Sequence, residues 1–162
     1  DELRVERHVE NDGAVFDAAL TLPGVVVLVK PHPADRADDY IRIAAGRAGI
    51  RVAAPDADLG RLLAAADAVA TMNSTVAIDA MVLGVPSVVV GLPNNLTPFV
   101  DAGVMFGGDR ATLPAVLRTL LYDRQAREGW RERAAVFAAR HQMRTDGQAA
   151  ARAADAILRV SR

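Results

Sequence analysis

The sequence predicts an α/β fold, in which a Rossmann-like parallel sheet is flanked by helices and followed by a helical C-terminal tail. Two observations lead to this prediction. Short apolar runs alternate with helix-like stretches through the first two thirds of the chain, and from Ala111 onward only helical patterns remain. Strands that alternate with helices build βαβ units with parallel strands and right-handed crossovers. The length of 162 residues favours a single domain over residues 1–162.

The first elements are set by apolar runs and by the residues that interrupt them. A short helix over 13–22 is stopped by Pro23-Gly24, and the aliphatic run Val25 to Val29 predicts a fully buried strand. The next predicted elements are a helix over 35–48, a strand over 50–53, a helix over 58–66 with Asp58 as its N-cap, and a strand over 68–71.

The second half follows the same logic and then becomes wholly helical. Three small polar residues open a predicted helix that runs from residue 73 to 83 and ends at Gly84. A strand is expected over 86–90, a Pro- and Asn-rich loop over 91–101, and a short strand over 104–106. The expected tail helices are 112–122, 124–140 and 146–160.

The composition narrows the possible functions. A net charge of −1 argues against a nucleic-acid surface, and the absence of cysteine rules out disulfides and thiol chemistry. The three histidines have no metal-ligand spacing, so we expect no metal site. No glycine-rich dinucleotide fingerprint, membrane-spanning run or signal peptide is visible, which favours a cytoplasmic protein without a bound cofactor. Because the chain starts at Asp1 with no methionine, we interpret it as a piece excised from a longer protein.

The first candidate site lies at the end of the first predicted strand. The run stops at Lys30-Pro31-His32-Pro33, where the two prolines stiffen the backbone on both sides of the histidine. Ligands of open α/β sheets bind outside the carboxyl ends of the strands. A cation and a histidine held at such an end are suited to binding an anion. The alternative interpretation is that Pro-His-Pro is only a stiff surface turn. Lys30 is also the only lysine in the chain.

The second candidate site is the polar turn Asn73-Ser74-Thr75. Backbone N–H groups at a strand-to-helix turn and the hydroxyls of Ser74 and Thr75 are suited to a phosphate group. Ordinary helix capping is the simpler explanation, but capping needs only one such residue. Asp79 follows Thr75 by four residues on the same helix face, where its carboxylate is suited either to ribose hydroxyls or to solvent.

These two sites predict a clamp, because the carboxyl ends of parallel strands meet at one edge of the sheet. A nucleotide phosphate would then lie between His32 and Ser74. Pro55 and Asp56 follow a third strand and are weaker candidates for contacting the base edge, since Asp and Pro are common in turns.

The order of these motifs resembles the C-terminal half of GT-B glycosyltransferases. The resemblance rests on Lys-Pro-His-Pro, the segment 58–67, the Asn-Ser-Thr turn with Asp79-Ala80, and Gly84-Val85-Pro86, and it covers roughly residues 24–106. Bacterial capsule and surface-polysaccharide transferases that use CDP-glycerol or CMP-sugars look most similar. Many of these relatives have Glu where this chain has Asp79.

The resemblance implies roles for individual residues. It implies that His32, Ser74, Thr75 and Asp79 bind the nucleotide and its phosphate. From their positions at the strand ends we add Asn73 to this binding set and take His32 and Lys30 as the catalytic candidates. A loop containing Pro93, Asn94 and Asn95 would lie near the sugar or the acceptor. The substrate would be a CMP-, CDP- or UDP-linked sugar, transferred to a surface or capsular polysaccharide. A missing N-terminal domain of the same chain would hold the acceptor, and the complete protein would associate peripherally with a membrane.

Two other classes of protein fit parts of the pattern. A UDP-sugar 2-epimerase shares the fold, but such enzymes tend to have a Ser-Gly-Gly type of turn where this chain has Asn-Ser-Thr. A non-catalytic module that binds a nucleotide or a partner protein is the second alternative, and a sugar-phosphate isomerase type of domain also uses Ser/Thr turns. We expect the isolated chain to bind nucleotide weakly and to be inactive alone.

Overall fold

The structure is a computed structural model that describes residues 13–33 and 35–160. The helix α1 covers residues 13–20. The other helices are α2 (Ala37–Ala44), α3 (Leu59–Ala65), α4 (Val76–Val82), α5 (Thr97–Asp101), α6 (Leu113–Tyr122), α7 (Arg124–Arg140) and α8 (Ala149–Val160). The strands are β1 (Val27–Val29), β2 (Ile50–Val52), β3 (Val69–Thr71), β4 (Ser87–Val90) and β5 (Phe106–Gly108). The predicted domain bounds of 1–162 extend beyond the described residues at both ends.

All of the paired strands in the described part of the chain run parallel, which confirms the predicted α/β class. β3, β4 and β5 form one sheet in that order, with Thr71 opposite Val89 and Val90 opposite Gly108. β1 and β2 form a second, two-stranded sheet with Val29 opposite Val52. The parallel strands of the described residues therefore form two separate hydrogen-bonded sheets, as a Rossmann-like α/β arrangement allows.

The core is built around β4, whose four residues are all buried. Val88 and Val90 pack on one side against α1 and against Leu113, Leu117 and Leu120 of α6. Val89 packs on the opposite side with Ala77 of α4 and Met105. A central strand covered on both faces is expected to be continuously apolar, and Ser-Val-Val-Val follows that rule apart from its first residue.

Helix α7 packs against the rest of the core through one large aromatic residue. Trp130 is 1% exposed and packs with Met81, Val104 and Ala134. Its indole Nε1 donates a hydrogen bond of 2.7 Å to the carbonyl oxygen of Val104. This bond satisfies both the indole N–H and the carbonyl oxygen of Val104, so it holds α7 against the segment just before β5.

The strand β1 is shorter and more exposed than its sequence predicts. It begins at Val27, and Val26 and Leu28 are 64% and 50% exposed. A parallel strand is buried only when helices cover both faces of its sheet. Here α2 contributes no buried residue, so one face of β1 lacks a cover among the described residues. The prediction of a fully buried strand was wrong for this reason.

Two further boundaries differ from the prediction in the segment after β4. Residues 97–101 form the helix α5 inside the stretch expected to be a loop, with Pro98 in its first turn, a position that proline favours. The last strand covers 106–108, whereas the pattern predicted 104–106. Val104 and Met105 are buried, so their apolar character reflects packing in the core and not pairing in the sheet.

The predicted helical tail is present as α6, α7 and α8. Helices α6 and α7 meet at Asp123, whose carboxylate Oδ1 accepts a 2.9 Å hydrogen bond from the amide of Ala126 and caps α7. Helix α8 has no buried residue along its length. No helix in the described part of the chain is long and apolar enough to cross a membrane.

Candidate functional site

The end of β1 is tied to the segment that follows β2. Lys30 is half-buried, and its ammonium Nζ donates to the carbonyl oxygen of Pro55 at 3.0 Å and to that of Pro31 at 3.4 Å. Pro31 is buried while His32 is exposed. The structure therefore brings together two groups that the sequence suggested separately, Lys30 and the candidate base-edge residue Pro55. Asp56 lies exposed beside them.

The turn after β3 is held by hydroxyl groups. The hydroxyl oxygen of Thr71 accepts from the amide of Ser74 at 3.3 Å, and the hydroxyl oxygen of Ser74 accepts from the amide of Val76 at 3.3 Å. Ser74 is half-buried, and Asn73 and Thr75 are exposed. The capping explanation holds for Ser74, because its oxygen binds the first amide of α4. A serine hydroxyl has one donor and two acceptor lone pairs, so this bond uses only one acceptor position.

Asp79 is placed on the exposed side of α4, one turn after Thr75. Residues four apart on a helix are surface neighbours, so Thr75 and Asp79 occupy the same face as the spacing predicted. The carboxylate is accessible from outside the molecule.

Two asparagines join the loop after β4 to the turn after β3. The amide Nδ2 of Asn94 donates to the carbonyl oxygen of Met72 at 2.5 Å, and the amide Nδ2 of Asn95 donates to that of Asn73 at 3.0 Å. The Oδ1 of Asn94 accepts from the amide of Leu96 at 2.8 Å, and the backbone amide of Asn94 donates to the hydroxyl of Thr97 at 2.8 Å. The side chain of Asn94 is thus engaged with the backbone on both of its polar atoms.

These contacts change the interpretation of the loop 93–95. Asn94 is half-buried and acts as a connector between two loops, while Pro93 and Asn95 are exposed. Asn94 was predicted to lie near a sugar or an acceptor, and its side chain is bonded to the backbone of Met72 and Leu96. The connection itself had no sequence signal, because it joins positions 22 residues apart.

An open cleft of about 460 Å³ lies at the carboxyl ends of β4 and β5. The residues that line it are Val90, Gly91, Leu92, Gly107, Gly108, Asp109, Arg110 and Thr112. None of these last three residues was a sequence candidate. The available signal was Asp109 three residues before Thr112 at the start of an apolar helix, which is a capping pattern and not a binding motif.

Asp109 is fixed by its neighbours. Its Oδ1 accepts from the hydroxyl of Thr112 at 2.7 Å, from the amide of Thr112 at 2.8 Å and from the amide of Ala111 at 3.0 Å. The hydrogen bond from the Thr112 hydroxyl, followed by that from the Thr112 amide, lowers the pKa of Asp109 below its ordinary value. The carboxylate in the cleft is therefore ionised at neutral pH.

The hydrogen bonds assemble the candidate residues into two groups. Lys30 and Pro55 follow the strands β1 and β2 of the two-stranded sheet. Asn73, Asn94 and Asn95 follow β3 and β4 of the three-stranded sheet. The two sheets share a core, since Val25 and Val27 before and within β1 pack on the cluster that contains Val88 and Val90. Within the described residues, no group of three or more His, Asp or Glu side chains is arranged to hold a metal ion.

Similarity to known proteins is found among solved structures. No family model matches the chain, and no curated protein sequence matches it. The glycosyltransferase SnogD from Streptomyces nogalater aligns with a TM-score of 0.45 and 23% sequence identity, over 59% of this chain and 28% of that one. The present chain thus corresponds to little more than a quarter of the length of that protein.

Proposed function

We propose that this chain is the nucleotide-sugar-binding half of a glycosyltransferase. The observation that carries the proposal is the carboxyl edge of the three-stranded sheet, where the polar turn after β3 is tied through Asn94 and Asn95 to the loop beside an open cleft. In open α/β sheets this edge is where ligands bind. The resemblance of the Lys-Pro-His-Pro and Asn-Ser-Thr motifs to those of GT-B enzymes supports the same assignment.

The proposed donor phosphate is bound by Ser74, Thr75 and His32. The hydroxyl of Ser74 retains its hydrogen for donation while its oxygen holds the start of α4. His32 is exposed between two prolines that restrict its backbone, so little conformational entropy is lost when it contacts an anion. Asp79 is proposed to accept hydrogen bonds from the ribose.

Lys30 contributes charge in this proposal. Two of the three N–H donors of its ammonium group are directed to the carbonyl oxygens of Pro31 and Pro55, which fixes the position of the cation. A fixed cation near a departing nucleotide phosphate stabilises the negative charge that develops there, and such positioning accounts for much of catalysis in group transfer. The acceptor is proposed to be a growing surface or capsular polysaccharide, held by a further domain of the complete protein.

The test is a titration of CMP, CDP, UMP, UDP and GDP into the protein, followed by thermal unfolding and by NMR. We expect one pyrimidine nucleotide to raise Tm. His32→Ala and Ser74→Ala should each weaken its binding by about tenfold, since a hydrogen bond to a charged group contributes about 1.5–3 kcal/mol.

Matched controls separate binding from general damage to the fold. His141→Ala removes another exposed histidine at the end of α7, and Thr21→Ala removes a hydroxyl bonded to the carbonyl of Ala18 at the end of α1. Both control variants should bind the nucleotide as the unaltered protein does. The proposal is wrong if none of the five nucleotides binds, or if His32→Ala and Ser74→Ala bind as tightly as the controls.

A further inference from the structure

The segment from residue 25 to residue 58, which contains β1, α2 and β2, is poorly buried, and we call it the β1–β2 unit. Pro31 is the only buried residue among its described members. The large apolar side chains of Val26, Leu28 and Ile41 are exposed. In β4, by contrast, all four residues are buried. Because burial of apolar surface is the main favourable term in folding, the β1–β2 unit has little stability of its own.

The hydrogen-bonded ladders separate this unit from the three-stranded sheet. The amide of Val27 donates to the carbonyl oxygen of Gly49 at 2.8 Å. The amide of Ala53 donates to that of Val29 at 2.8 Å, and both bonds join β1 to the ends of β2. In the other sheet, the amide of Val69 donates at 2.9 Å to the carbonyl oxygen just before β4. No hydrogen bond joins β1 to β3 among the described residues.

The unit is attached to the core through side chains. Val25 and Val27 are partly buried and pack on the core cluster around β4. Arg47 forms an ion pair with Asp17 of α1 at 3.2 Å, but both side chains are partly exposed, and such pairs contribute little. A two-stranded ladder is at best marginally stable alone, and proteins open locally in contiguous units of this kind. The small contact made by the two valines therefore determines how firmly the unit is docked.

The candidate phosphate-binding residues lie on both sides of this division. The ammonium group of Lys30 is bonded to the carbonyl oxygens of Pro31 and Pro55, which belong to the unit, as His32 does. Ser74 belongs to the three-stranded side, where its hydroxyl oxygen holds the start of α4. An anion that contacts His32 and Ser74 together therefore joins the two parts, and a ligand shifts an equilibrium toward the state that it binds more tightly.

We propose that the β1–β2 unit opens and closes against the three-stranded sheet as one cooperative unit, and that an anion bound between His32 and Ser74 favours the closed state. The first part depends on burial and hydrogen bonding alone. The second part rests on the proposed function, which places the anion between these two residues. Since only the closed state offers both contacts, the apparent affinity for the anion falls in proportion to the fraction of molecules that are closed.

Native-state hydrogen exchange, followed by NMR at low urea concentrations, tests the first part. The amides of Val27 and Ala53 report on the unit, and those of Val69 and β4 report on the three-stranded sheet. We expect the unit's amides to exchange at least about tenfold faster, because opening one unit costs less than global unfolding. Trp130→Phe should speed the exchange of Val69 and β4 at least about tenfold and leave the unit's amides unchanged, since the contact of Trp130 with Val104 persists when only the unit opens.

Variants of two adjacent residues test how the unit is attached. Val27→Ala removes part of the contact with the core and should speed the exchange of Ala53 several-fold. Leu28→Ala is the matched control, because it alters an exposed side chain of the same strand and should change that rate little. The proposal is overturned if Trp130→Phe speeds both sets of amides equally, or if Val27→Ala speeds Ala53 no more than Leu28→Ala does.

The second part is tested with inorganic pyrophosphate, titrated to about 10 mM at constant ionic strength to cover weak binding. It should slow the exchange of Val27 and Ala53 several-fold, because the open state does not offer both contacts. His32→Ala and Ser74→Ala should each remove most of this slowing, and Thr21→Ala should retain it. The coupling is overturned if pyrophosphate slows no amide, or if it slows only Val69 and β4, which would place the anion on the three-stranded side alone. If none of the five nucleotides binds, the proposed function is wrong, and the exchange results without a ligand are unaffected.

Discussion

Asn94 offers the sharpest test of how this edge of the sheet is held together. Its Nδ2 donates to the carbonyl of Met72 at 2.5 Å, with longer contacts to the carbonyls of Gly91 and Val90 at 3.4 and 3.5 Å, and its Oδ1 accepts from the amide of Leu96 at 2.8 Å. Asn94→Ala removes two firm hydrogen bonds, each contributing about 0.5–1.5 kcal/mol. We therefore expect the free energy of unfolding to fall by about 2 kcal/mol.

A second variant at Asn94 separates the contributions of its two polar atoms, and a variant at Asn95 serves as a control. Asn94→Asp keeps an acceptor for Leu96 but replaces the donor to Met72 with a second oxygen, so two acceptors face each other. We expect it to cost at least half as much as Asn94→Ala. Asn95→Ala is the matched control, because it removes one exposed bond to Asn73 and should cost about 0.5 kcal/mol.

The measurement is urea denaturation of all three variants, with the m-value compared to establish that the denatured state is unchanged. A second readout is the nucleotide affinity from the titration described above, which should fall more in Asn94→Asp than in Asn95→Ala. The reasoning is refuted if Asn94→Ala is destabilised no more than Asn95→Ala, because Asn94 would then not be the main connector between the two loops.

Three substitutions and one labelling experiment test separate parts of the structure. Trp130→Phe should lower the free energy of unfolding by about 2–3 kcal/mol in urea denaturation, since it leaves the buried carbonyl of Val104 without its donor; a loss below about 0.5 kcal/mol would contradict the contact. Ser87→Ala should raise stability by about 1 kcal/mol in the same assay, because the buried hydroxyl of Ser87 has no partner among the described residues; a clear loss would show that the hydroxyl is satisfied. The pKa of Asp109 is lowered in the folded protein, so its stabilising contribution is present above the ordinary value of 3.8 and is lost as the pH falls through the lowered pKa. Urea denaturation of Asp109→Asn against pH should show the largest difference from the unaltered protein above that value, and a difference that grows toward acid would reverse the sign. Lys30 is the only lysine, so an amine-reactive reagent followed by peptide mass spectrometry reports on it directly, and a bound nucleotide should slow its labelling several-fold; equal rates with and without nucleotide would place the ligand elsewhere.

Most of the fold could be predicted because it follows from local patterns. The strand β4 is covered on both sides and therefore reads as a continuous apolar run, and the cap at Asp58 accepts a 3.0 Å hydrogen bond from the amide of Arg61 where the sequence placed it. Helices of the tail end where Asp123 interrupts the pattern. These features depend on residues close together in the chain, which is the information that periodicity and capping rules contain.

The errors arose where burial depends on distant parts of the chain. The run from Val25 to Val29 predicts a buried strand, yet nothing within it shows whether a helix will cover its outer face, and Leu28 is left half exposed. The same ambiguity affected Val104 and Met105, whose burial against α4 and α7 resembles that of strand residues. Apolar character alone favours burial, but it shows neither which element a residue belongs to nor whether another element covers it.

The candidate site shows the same contrast between local signals and contacts that join distant residues. Ser74 and Lys30 were visible because hydroxyls at a helix start and a cation at a strand end are local signals. The cleft was not visible, since it depends on Leu92 resting on Gly107, fifteen residues further along the chain. Asp109 is fixed by a capping pattern that many helices carry without binding anything. It lines the same cleft as Leu92 at the end of a parallel sheet, and that cleft exists only because β4 and β5 are neighbours. The set of side chains that meet at this edge of the sheet is thus determined by strand order as much as by residue type.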